Sequence, residues 1–225
     1  MRVGAGNRFG TGAAIGGAPA DRKYRGENTG VVIGMRNRFF EYATVHRSTG
    51  LGTFTSIGDD NFVMAYVHVA HNCRVGSGCV LTNGVQLGGH VTVEDGANLG
   101  GLTGVHQFTR IGTTAMVGAC SYVTKDIPPF VLAAGNPCLV RGLNFVGLKR
   151  AGTQPEVTVS LKQAFRLIYR SNLNLTDALS RIETELIPAS KPGQGLEHLK
   201  RLLDFIHTSE RGVELRTSAA VADGR

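Results

Sequence analysis

The stretch "VHVAHNCRVGSGCVLTNGVQLGGHVTV", residues 67–93, places an apolar residue at every sixth position. The spacing continues in both directions, and all sixteen positions from Ile33 to Val123 are apolar. Since 42% of the chain is apolar, an unpatterned sequence would match all sixteen about once in a million trials. The series is Ile33, Phe39, Val45, Leu51, Ile57, Val63, Val69, Val75, Leu81, Leu87, Val93, Leu99, Val105, Ile111, Val117 and Val123. A six-residue period predicts a parallel β-helix in which three hexapeptides form one triangular coil.

Glycine often follows the apolar position of the repeat, as at Gly58, Gly76 and Gly100. Because glycine tolerates positive φ, we expect these residues to form the corners between short strands. The chain has 31 glycines and no tryptophan, which indicates a core of small and β-branched side chains.

The six-residue series also continues upstream, through Ile15, Phe9 and Val3, but Asp21 and Glu27 interrupt it. We therefore expect residues 17–30 to form a loop that leaves the stack of coils. Long insertions at a coil corner lie on the surface and commonly carry function, although a plain solvated loop is the alternative.

The pattern changes after the β-helix, because Pro128 and Pro129 cannot continue a ladder. From Pro155 onward, apolar residues recur at helical spacing and predict three amphipathic helices. The second helix has Thr176 or Asp177 as a candidate N-cap, and Gly212 should stop the third. The predicted organisation is a β-helix over residues 1–140 with the insertion at 17–30, an α-helical domain over 141–215, and a disordered tail over 216–225.

The cysteines Cys73, Cys79, Cys120 and Cys138 show no CxxC spacing, so we expect small structural side chains rather than a disulfide or a metal site. The chain has no apolar run long enough to span a membrane, and its N-terminus lacks the apolar core of a signal peptide. These features predict a soluble cytoplasmic protein.

The net charge of +7 favours an anionic partner, but the basic residues are dispersed along the chain. Without a basic motif interleaved with aromatic residues, nucleic acid is a poor candidate. A phosphorylated metabolite or an acidic carrier protein fits a scattered positive surface better.

Three histidines recur at close to the interval of one coil, which is three repeats. The interval from His71 to His90 is one position longer than a coil, and the interval from His90 to His106 is two positions shorter. We therefore predict a column of histidines along one edge of the prism, with His68 in the same corner as His71. Such a column could hold a metal ion, supply a general base, or bind substrate. The spacing leaves these three alternatives open.

Motifs within residues 1–175 resemble one family. They are "GAPADRKYRGENT", "ATVHRST", "YVHVAHNC", "LGGHVTVEDGANLGGLTGVHQF", "GNPCLVRGLNFVGLKRAG" and "AFRLIYRS". They are similar to the acyl-carrier-protein-dependent UDP-N-acetylglucosamine O-acyltransferases, which start lipid A synthesis. The resemblance implies a left-handed parallel β-helix followed by a small α-helical domain, a homotrimer with clefts between neighbouring prisms, and no cofactor. The implied reaction moves a 3-hydroxyacyl group from acyl carrier protein to the 3-hydroxyl of UDP-N-acetylglucosamine.

The resemblance also implies roles for individual residues. His71 would be the general base, with Asn72 beside it, and the backbone N–H of Gly89 would stabilise the oxyanion. The implied substrate-binding residues are Asp21, Lys23, His68, His90, His106, Gln107, Asn144 and Arg150. Ala119 matches the position that limits acyl-chain length.

Four departures from the family pattern carry their own expectations. Asn72 stands where the family usually has aspartate, so the base should be slower, because an amide cannot stabilise imidazolium by charge. Val146 replaces a family carboxylate and Ala151 a family arginine, which leaves the sugar or nucleobase specificity open. The chain also begins partway up the family's β-helix and should form a shorter prism.

Other functions remain as alternatives at this stage. An N-acyltransferase acting on an amino sugar would have the same hexapeptide repeat, but that class normally carries a separate N-terminal uridine-binding domain. A metal-dependent hydratase resembling the hexapeptide-repeat carbonic anhydrases would use the histidines as ligands. A non-catalytic sugar-nucleotide-binding homologue is the third alternative, suggested by Asn72.

Overall fold

The computed structural model describes residues 1–191 and 193–215. Residues 2–143 wind into a parallel β-helix with three sheets, and paired residues such as Val75 and Val93 are one coil of three repeats apart. In chain order, the strands are β1 (Arg2–Val3), β2 (Arg8–Phe9), β3 (Ala14–Gly17), β4 (Gly30–Ile33), β5 (Arg38–Phe39), β6 (Thr44–His46), β7 (Phe54–Ile57), β8 (Phe62–Val63), β9 (His68–Val69), β10 (Arg74–Val75), β11 (Val80–Leu81), β12 (Gln86–Leu87), β13 (Thr92–Val93), β14 (Asn98–Leu99), β15 (Gly104–Val105), β16 (Arg110–Ile111), β17 (Met116–Val117), β18 (Tyr122–Val123), β19 (Val131–Ala134) and β20 (Leu139–Leu143).

Each coil contributes one strand to each sheet. The first sheet contains β1, β4, β7, β10, β13 and β16; the second contains β2, β5, β8, β11, β14, β17, β19 and β20; the third contains β3, β6, β9, β12, β15 and β18. Neighbouring strands are parallel until β20, which runs antiparallel to β19 and leads the chain out of the prism.

The sixteen apolar positions of the six-residue series are called lattice positions below. Fifteen of their side chains are at most 4% exposed and fill the interior of the triangular prism that the coils form. The exception is Leu51, which is 78% exposed, so its predicted place in the core is wrong. Ile33 pairs with Ile57 and not with Leu51, which leaves residues 47–53 as a loop outside the coil. The insertion adds one repeat length, so the six-residue period continues across it and conceals it in the sequence.

A second buried row lies two residues before each lattice position and carries small side chains. Ala43, Val67, Cys73, Cys79 and Val85 in this row are fully buried. Burial raises the pKa of the Cys73 and Cys79 thiols to about 12, so both remain protonated and act as small hydrophobic groups.

The glycines that follow buried lattice positions, such as Gly58 and Gly76, do not have positive φ, contrary to the prediction. Positive φ instead falls three residues after the lattice position, mostly at residues other than glycine, such as Tyr66 and His90. Gly58 is needed for a different reason: a Cβ there would lie 2.7 Å from the carbonyl oxygen of Gly76 in the next coil. These glycines allow successive corners to stack closely.

The helices after the prism are α1 (Phe145–Arg150), α2 (Pro155–Tyr169), α3 (Leu175–Arg181), a π-helical turn (Ile182–Leu186), α4 (Ile187–Ala189) and α5 (Leu196–His207). The N-cap of α3 is Asn174, whose Oδ1 accepts the Asp177 N–H at 2.9 Å, so the prediction of Thr176 or Asp177 as cap is wrong. Helix α5 ends at His207, before Gly212. The helices pack around a second core that includes Leu161, Ile182 and Leu199. The predicted tail, residues 216–225, lies outside the described residues.

Candidate functional site

One edge of the prism collects the histidines and both loops. This histidine edge joins the third sheet to the first and comprises residues 70–73, 88–91 and 106–109. Residues 18–29 connect β3 to β4 and residues 47–53 connect β6 to β7, so both insertions leave the coil at this same edge. Polar side chains from loops distant in sequence can therefore meet beside His71.

His71 is oriented by its neighbour in the chain. Its Nδ1 lies 2.9 Å from Asn72 Oδ1, and because an amide oxygen only accepts, Nδ1 carries the hydrogen and donates it. The other ring nitrogen, Nε2, then has a free lone pair. A histidine with one nitrogen fixed as donor and the other unprotonated has the arrangement that general-base chemistry requires.

Gly89 lies directly beside the His71 ring. A Cβ at Gly89 would be 2.6 Å from His71 Nε2, so this position has no room for a side chain. Among the residues that the structure describes, no group accepts the Gly89 N–H. The edge thus presents a basic nitrogen and a free backbone donor next to each other.

The three histidines of the edge do not form the predicted column. The register pairs residues three repeats apart, which places His106 in line with Ala70, and His90 in line with Asn72. His71 and His90 still meet, with their rings edge to face and their centroids 5.4 Å apart, and His90 stacks on Phe108. Because neither interval between the three histidines equals one coil, their side chains fall in different columns and the straight column is wrong.

Two further histidines complete a cluster around His71. His46 and His68 meet edge to face with their centroids 4.8 Å apart, and Thr44 Oγ1 lies 2.8 Å from His68 Nδ1. Burial, followed by repulsion from neighbouring histidines, lowers the pKa of His46, His68 and His90. These three rings are therefore neutral at physiological pH. In that state they can accept or donate hydrogen bonds without adding charge to the site.

Two of the cavities at the histidine edge reach His71. The larger, about 720 Å³, is lined by Asp21, Lys23, His71, His90 and Gln107 among others. The smaller, about 420 Å³, includes His68, Gln107 and Gly89. Sequence-predicted residues from the loop, the strands and the corners are thus brought together around His71.

Contacts within the protein hold the 18–29 loop in place over the larger cavity. The Arg47 guanidinium donates two hydrogen bonds to the Tyr24 hydroxyl, at 3.1 and 2.9 Å. Asp21 Oδ1 accepts the Lys23 N–H at 2.9 Å and closes a local turn. The loop therefore presents Asp21 and Lys23 from a defined conformation.

Asn144 and Arg150 lie elsewhere, in a separate cavity of about 520 Å³ that also includes Val146 and Ala151. Its walls come from the second sheet and from the edge between the first and second sheets, so it lies on a different edge from His71. Asn144 is the N-cap of α1: its Oδ1 accepts the Gly147 N–H at 2.9 Å. One chain alone does not bring this pair to the histidines.

Two other predicted residues lie apart from these cavities. Ala119 is exposed at a corner, and His106, although on the histidine edge, is absent from the described walls of all three cavities. Within residues 1–191 and 193–215, no group of three histidine, cysteine, aspartate or glutamate side chains is placed to bind a metal ion. No helix in those ranges has the length and apolar character needed to cross a bilayer.

Comparisons with known proteins identify the family. The model described as "Udp N-acetylglucosamine O-acyltransferase; Domain 2" matches residues 126–214, and the bacterial transferase hexapeptide model matches residues 54–89. The acyl-[acyl-carrier-protein]–UDP-N-acetylglucosamine O-acyltransferase of Burkholderia mallei is 45% identical over 207 residues, covering 92% of this chain and 78% of the relative. This chain belongs to that O-acyltransferase family. A relative from Gloeothece citriformis with the same enzyme name is also 45% identical, over 92% of this chain and 72% of its own length.

Solved structures agree with the assignment to the O-acyltransferase family. The UDP-N-acetylglucosamine acyltransferase of Francisella novicida matches with a TM-score of 0.87 and 36% identity, covering 96% of this chain and 76% of the other. The left-handed parallel β-helix with C-terminal helices that the sequence predicted is confirmed.

In this O-acyltransferase, sequence analysis missed two residues at the histidine edge. Thr49 contacts Asn72 through three hydrogen bonds, and His46 belongs to the histidine cluster. Both precede β7 in the segment "VHRSTGLGT", whose apolar residue at 51 made it look like an ordinary coil. The high proportion of polar residues in that segment could have indicated a loop outside the coil.

Proposed function

We propose that this chain transfers a 3-hydroxyacyl group from acyl carrier protein to the 3-hydroxyl of UDP-N-acetylglucosamine, the first step of lipid A biosynthesis. The observation that supports this proposal most directly is the His71 imidazole, which donates through Nδ1 to Asn72 and leaves Nε2 free beside Gly89. Family membership supports the reaction, and this geometry supports His71 as its base.

In the proposed mechanism, His71 Nε2 takes the proton of the sugar 3-hydroxyl as that oxygen attacks the thioester carbonyl carbon. The carbonyl oxygen becomes an oxyanion, which the Gly89 N–H stabilises. The tetrahedral intermediate then collapses, the C–S bond breaks, and His71 returns its proton to the leaving thiolate of the carrier. The products are the 3-O-acyl sugar nucleotide and the free carrier thiol.

The remaining predicted residues would bind substrate. Asp21 and Lys23 of the 18–29 loop line the larger cavity and would hold the sugar nucleotide there, since lysine supplies the positive charge that a diphosphate requires. His68, His90 and Gln107 line the two cavities that reach His71 and would contact the sugar and the acyl group. His106 lies outside the cavity walls of a single chain and would line the cleft only in the proposed trimer. Ala119 would limit the acyl chain, and an Ala119→Gly variant should then accept longer donors.

We also propose a homotrimer, in which Asn144 and Arg150 of one copy complete the site at the histidine edge of the next. This proposal is supported by the position of these two residues within one chain. Asn144 and Arg150 line a cavity on a different edge of the prism from the cavity that contains His71. A closed three-fold ring uses both edges of every copy. A cytoplasmic location remains a prediction.

The activity is tested by incubating the protein with UDP-N-acetylglucosamine and a set of 3-hydroxyacyl carrier proteins, with the product analysed by mass spectrometry. We expect one acyl group, released by mild base as an O-ester should be. An alkali-stable amide formed on an amino-sugar analogue, with no ester formed, would indicate the N-acyltransferase. No product from any donor, together with measurable sugar-nucleotide binding, would indicate the non-catalytic homologue.

The trimer is tested by complementation. His71→Ala and Arg150→Ala are each expected to be inactive alone, but co-expressed chains should form mixed trimers in which some sites contain both intact residues. Activity recovered only on co-expression supports the shared site, whereas a monomer by light scattering would contradict it.

A further inference from the structure

Thr49, on the 47–53 loop, makes the contacts that orient the Asn72 side chain. We propose that Thr49 is a positioning residue, which sets the side of the Asn72 amide that faces His71 and thereby selects the imidazole tautomer with Nε2 unprotonated. The inference rests on the proposed function, in which His71 is the base.

Three hydrogen bonds join Thr49 to the Asn72 amide. The Thr49 N–H and the Thr49 hydroxyl both donate to Asn72 Oδ1, each at 2.9 Å. Asn72 Nδ2 donates in return to the Thr49 carbonyl oxygen, at 2.9 Å. In the flipped amide, the NH₂ group would face the Thr49 N–H and the oxygen would face the Thr49 carbonyl oxygen, so both backbone bonds would be lost. The Thr49 hydroxyl can donate to the amide oxygen or accept from the NH₂ group, so it is the backbone of Thr49 that sets the orientation.

The orientation of the amide decides the state of His71. With Oδ1 toward the ring, His71 Nδ1 must be the donor, and Nε2 keeps its lone pair. With the NH₂ group toward the ring, Nδ1 would become the acceptor and the hydrogen would move to Nε2, where it blocks the base. An aspartate at this position would offer only acceptor oxygens, so the choice of orientation arises because residue 72 is asparagine.

The loop is fixed independently of Asn72. The Thr53 hydroxyl lies 2.7 Å from the Thr49 carbonyl oxygen and 2.7 Å from the Ser48 hydroxyl. The Asn72 backbone N–H donates to Thr55 Oγ1 at 2.9 Å. Thr49 and the Asn72 backbone are therefore each held by other residues, and Thr49 can keep the Asn72 side-chain amide in one orientation.

The test compares Thr49→Pro, which removes the backbone N–H and the hydroxyl, with Thr49→Val, which removes only the hydroxyl and keeps both backbone bonds. We expect Thr49→Pro to lower kcat by about tenfold with KM for the sugar nucleotide within about twofold, and Thr49→Val to stay within about threefold of the parent in kcat. In ¹⁵N-histidine-labelled protein, the His71 signals, assigned with His71→Gln, should shift toward the Nε2–H tautomer in Thr49→Pro alone.

A double-mutant cycle separates this role from a general role of the loop. In the Asn72→Asp background, the loss caused by Thr49→Pro should shrink to less than about twofold, because both carboxylate oxygens are acceptors and either can face His71. An equal loss in both backgrounds, or unchanged His71 signals in Thr49→Pro, would overturn the inference. If every form proves inactive, the proposed function fails, but the ¹⁵N signals still decide the role of Thr49.

Discussion

At the scale of single residues, Asn72 stands where the resemblance to the family implies an aspartate. The amide makes a hydrogen bond to His71 Nδ1, but it carries no charge to stabilise the imidazolium that would form in the proposed mechanism. Hydrogen bonds to charged groups are roughly twice as strong as those between neutral groups. The orienting role is therefore kept while the electrostatic role is lost.

Replacing Asn72 by aspartate should consequently accelerate the reaction. We expect Asn72→Asp to raise kcat by about three- to tenfold with little change in KM, because the added charge acts on the transition state. Steady-state kinetics measure this, and the same change in a His71→Gln background should have no effect. A kcat equal to or lower than that of the parent would mean that the imidazolium is stabilised by other groups.

At the scale of elements, the six-residue repeat determines which side chains fill the prism, and each loop is a departure from that repeat. Fifteen of the sixteen positions that the repeat predicted as buried are buried. The repeat could not reveal the 47–53 loop, because an insertion of one repeat length preserves the period. Only the pairing of Ile33 with Ile57, a long-range contact, shows that Leu51 is outside.

A matched pair of leucine substitutions checks this assignment. Leu81 is fully buried, so Leu81→Ala should reduce the free energy of unfolding by about 2–5 kcal/mol. Leu51 is 78% exposed, and Leu51→Ala should change it by less than about 0.5 kcal/mol. Urea unfolding gives both free energies. Similar losses for the two variants would indicate that Leu51 is buried in the core.

A corner glycine, Gly58, and a strand glycine, Gly142 in β20, offer a second matched pair of substitutions. Gly58→Ala would place a methyl group 2.7 Å from the Gly76 carbonyl oxygen and should cost about 1–3 kcal/mol. At Gly142 no atom lies within 4 Å of the added group, so Gly142→Ala should be nearly neutral. Thermal unfolding of the two variants measures the difference. A neutral Gly58→Ala would show that successive coils can separate easily at their corners.

The sequence predicted the histidine site only in part, and the reason is physical. The resemblance indicated His71, Gly89 and the 18–29 loop, and the structure places them at one edge. The contacts of Thr49 with Asn72 depend on where a loop distant in sequence folds back, which no local pattern encodes. The expected column failed because a small departure from the coil interval moves a side chain to a neighbouring column.

At the scale of the whole molecule, the histidine cluster makes stability depend on pH. The pKa values of His46, His68 and His90 are lowered in the folded protein, chiefly by burial. Below about pH 6.5 the unfolded chain binds protons that the folded cluster resists, so the free energy of unfolding should fall as pH decreases. Burial raises the pKa of Asp126, which opposes this trend at more acidic pH.

Thermal denaturation between pH 7.5 and 5.5 tests this coupling. We expect Tm to fall steadily over this interval, and the His68→Gln variant, which lacks one of the lowered groups, to show a shallower decline. A Tm that is flat or rises toward pH 5.5 would contradict the lowered pKa values.

The proposed function depends on His71 acting as the base, and one kinetic comparison tests that directly. The rate of acyl transfer to UDP-N-acetylglucosamine is measured for the parent chain and for His71→Gln, which keeps a polar side chain of similar size. We predict a loss in kcat of at least about 10²-fold, with sugar-nucleotide binding by calorimetry within about threefold. Turnover by His71→Gln within threefold of the parent would contradict the account.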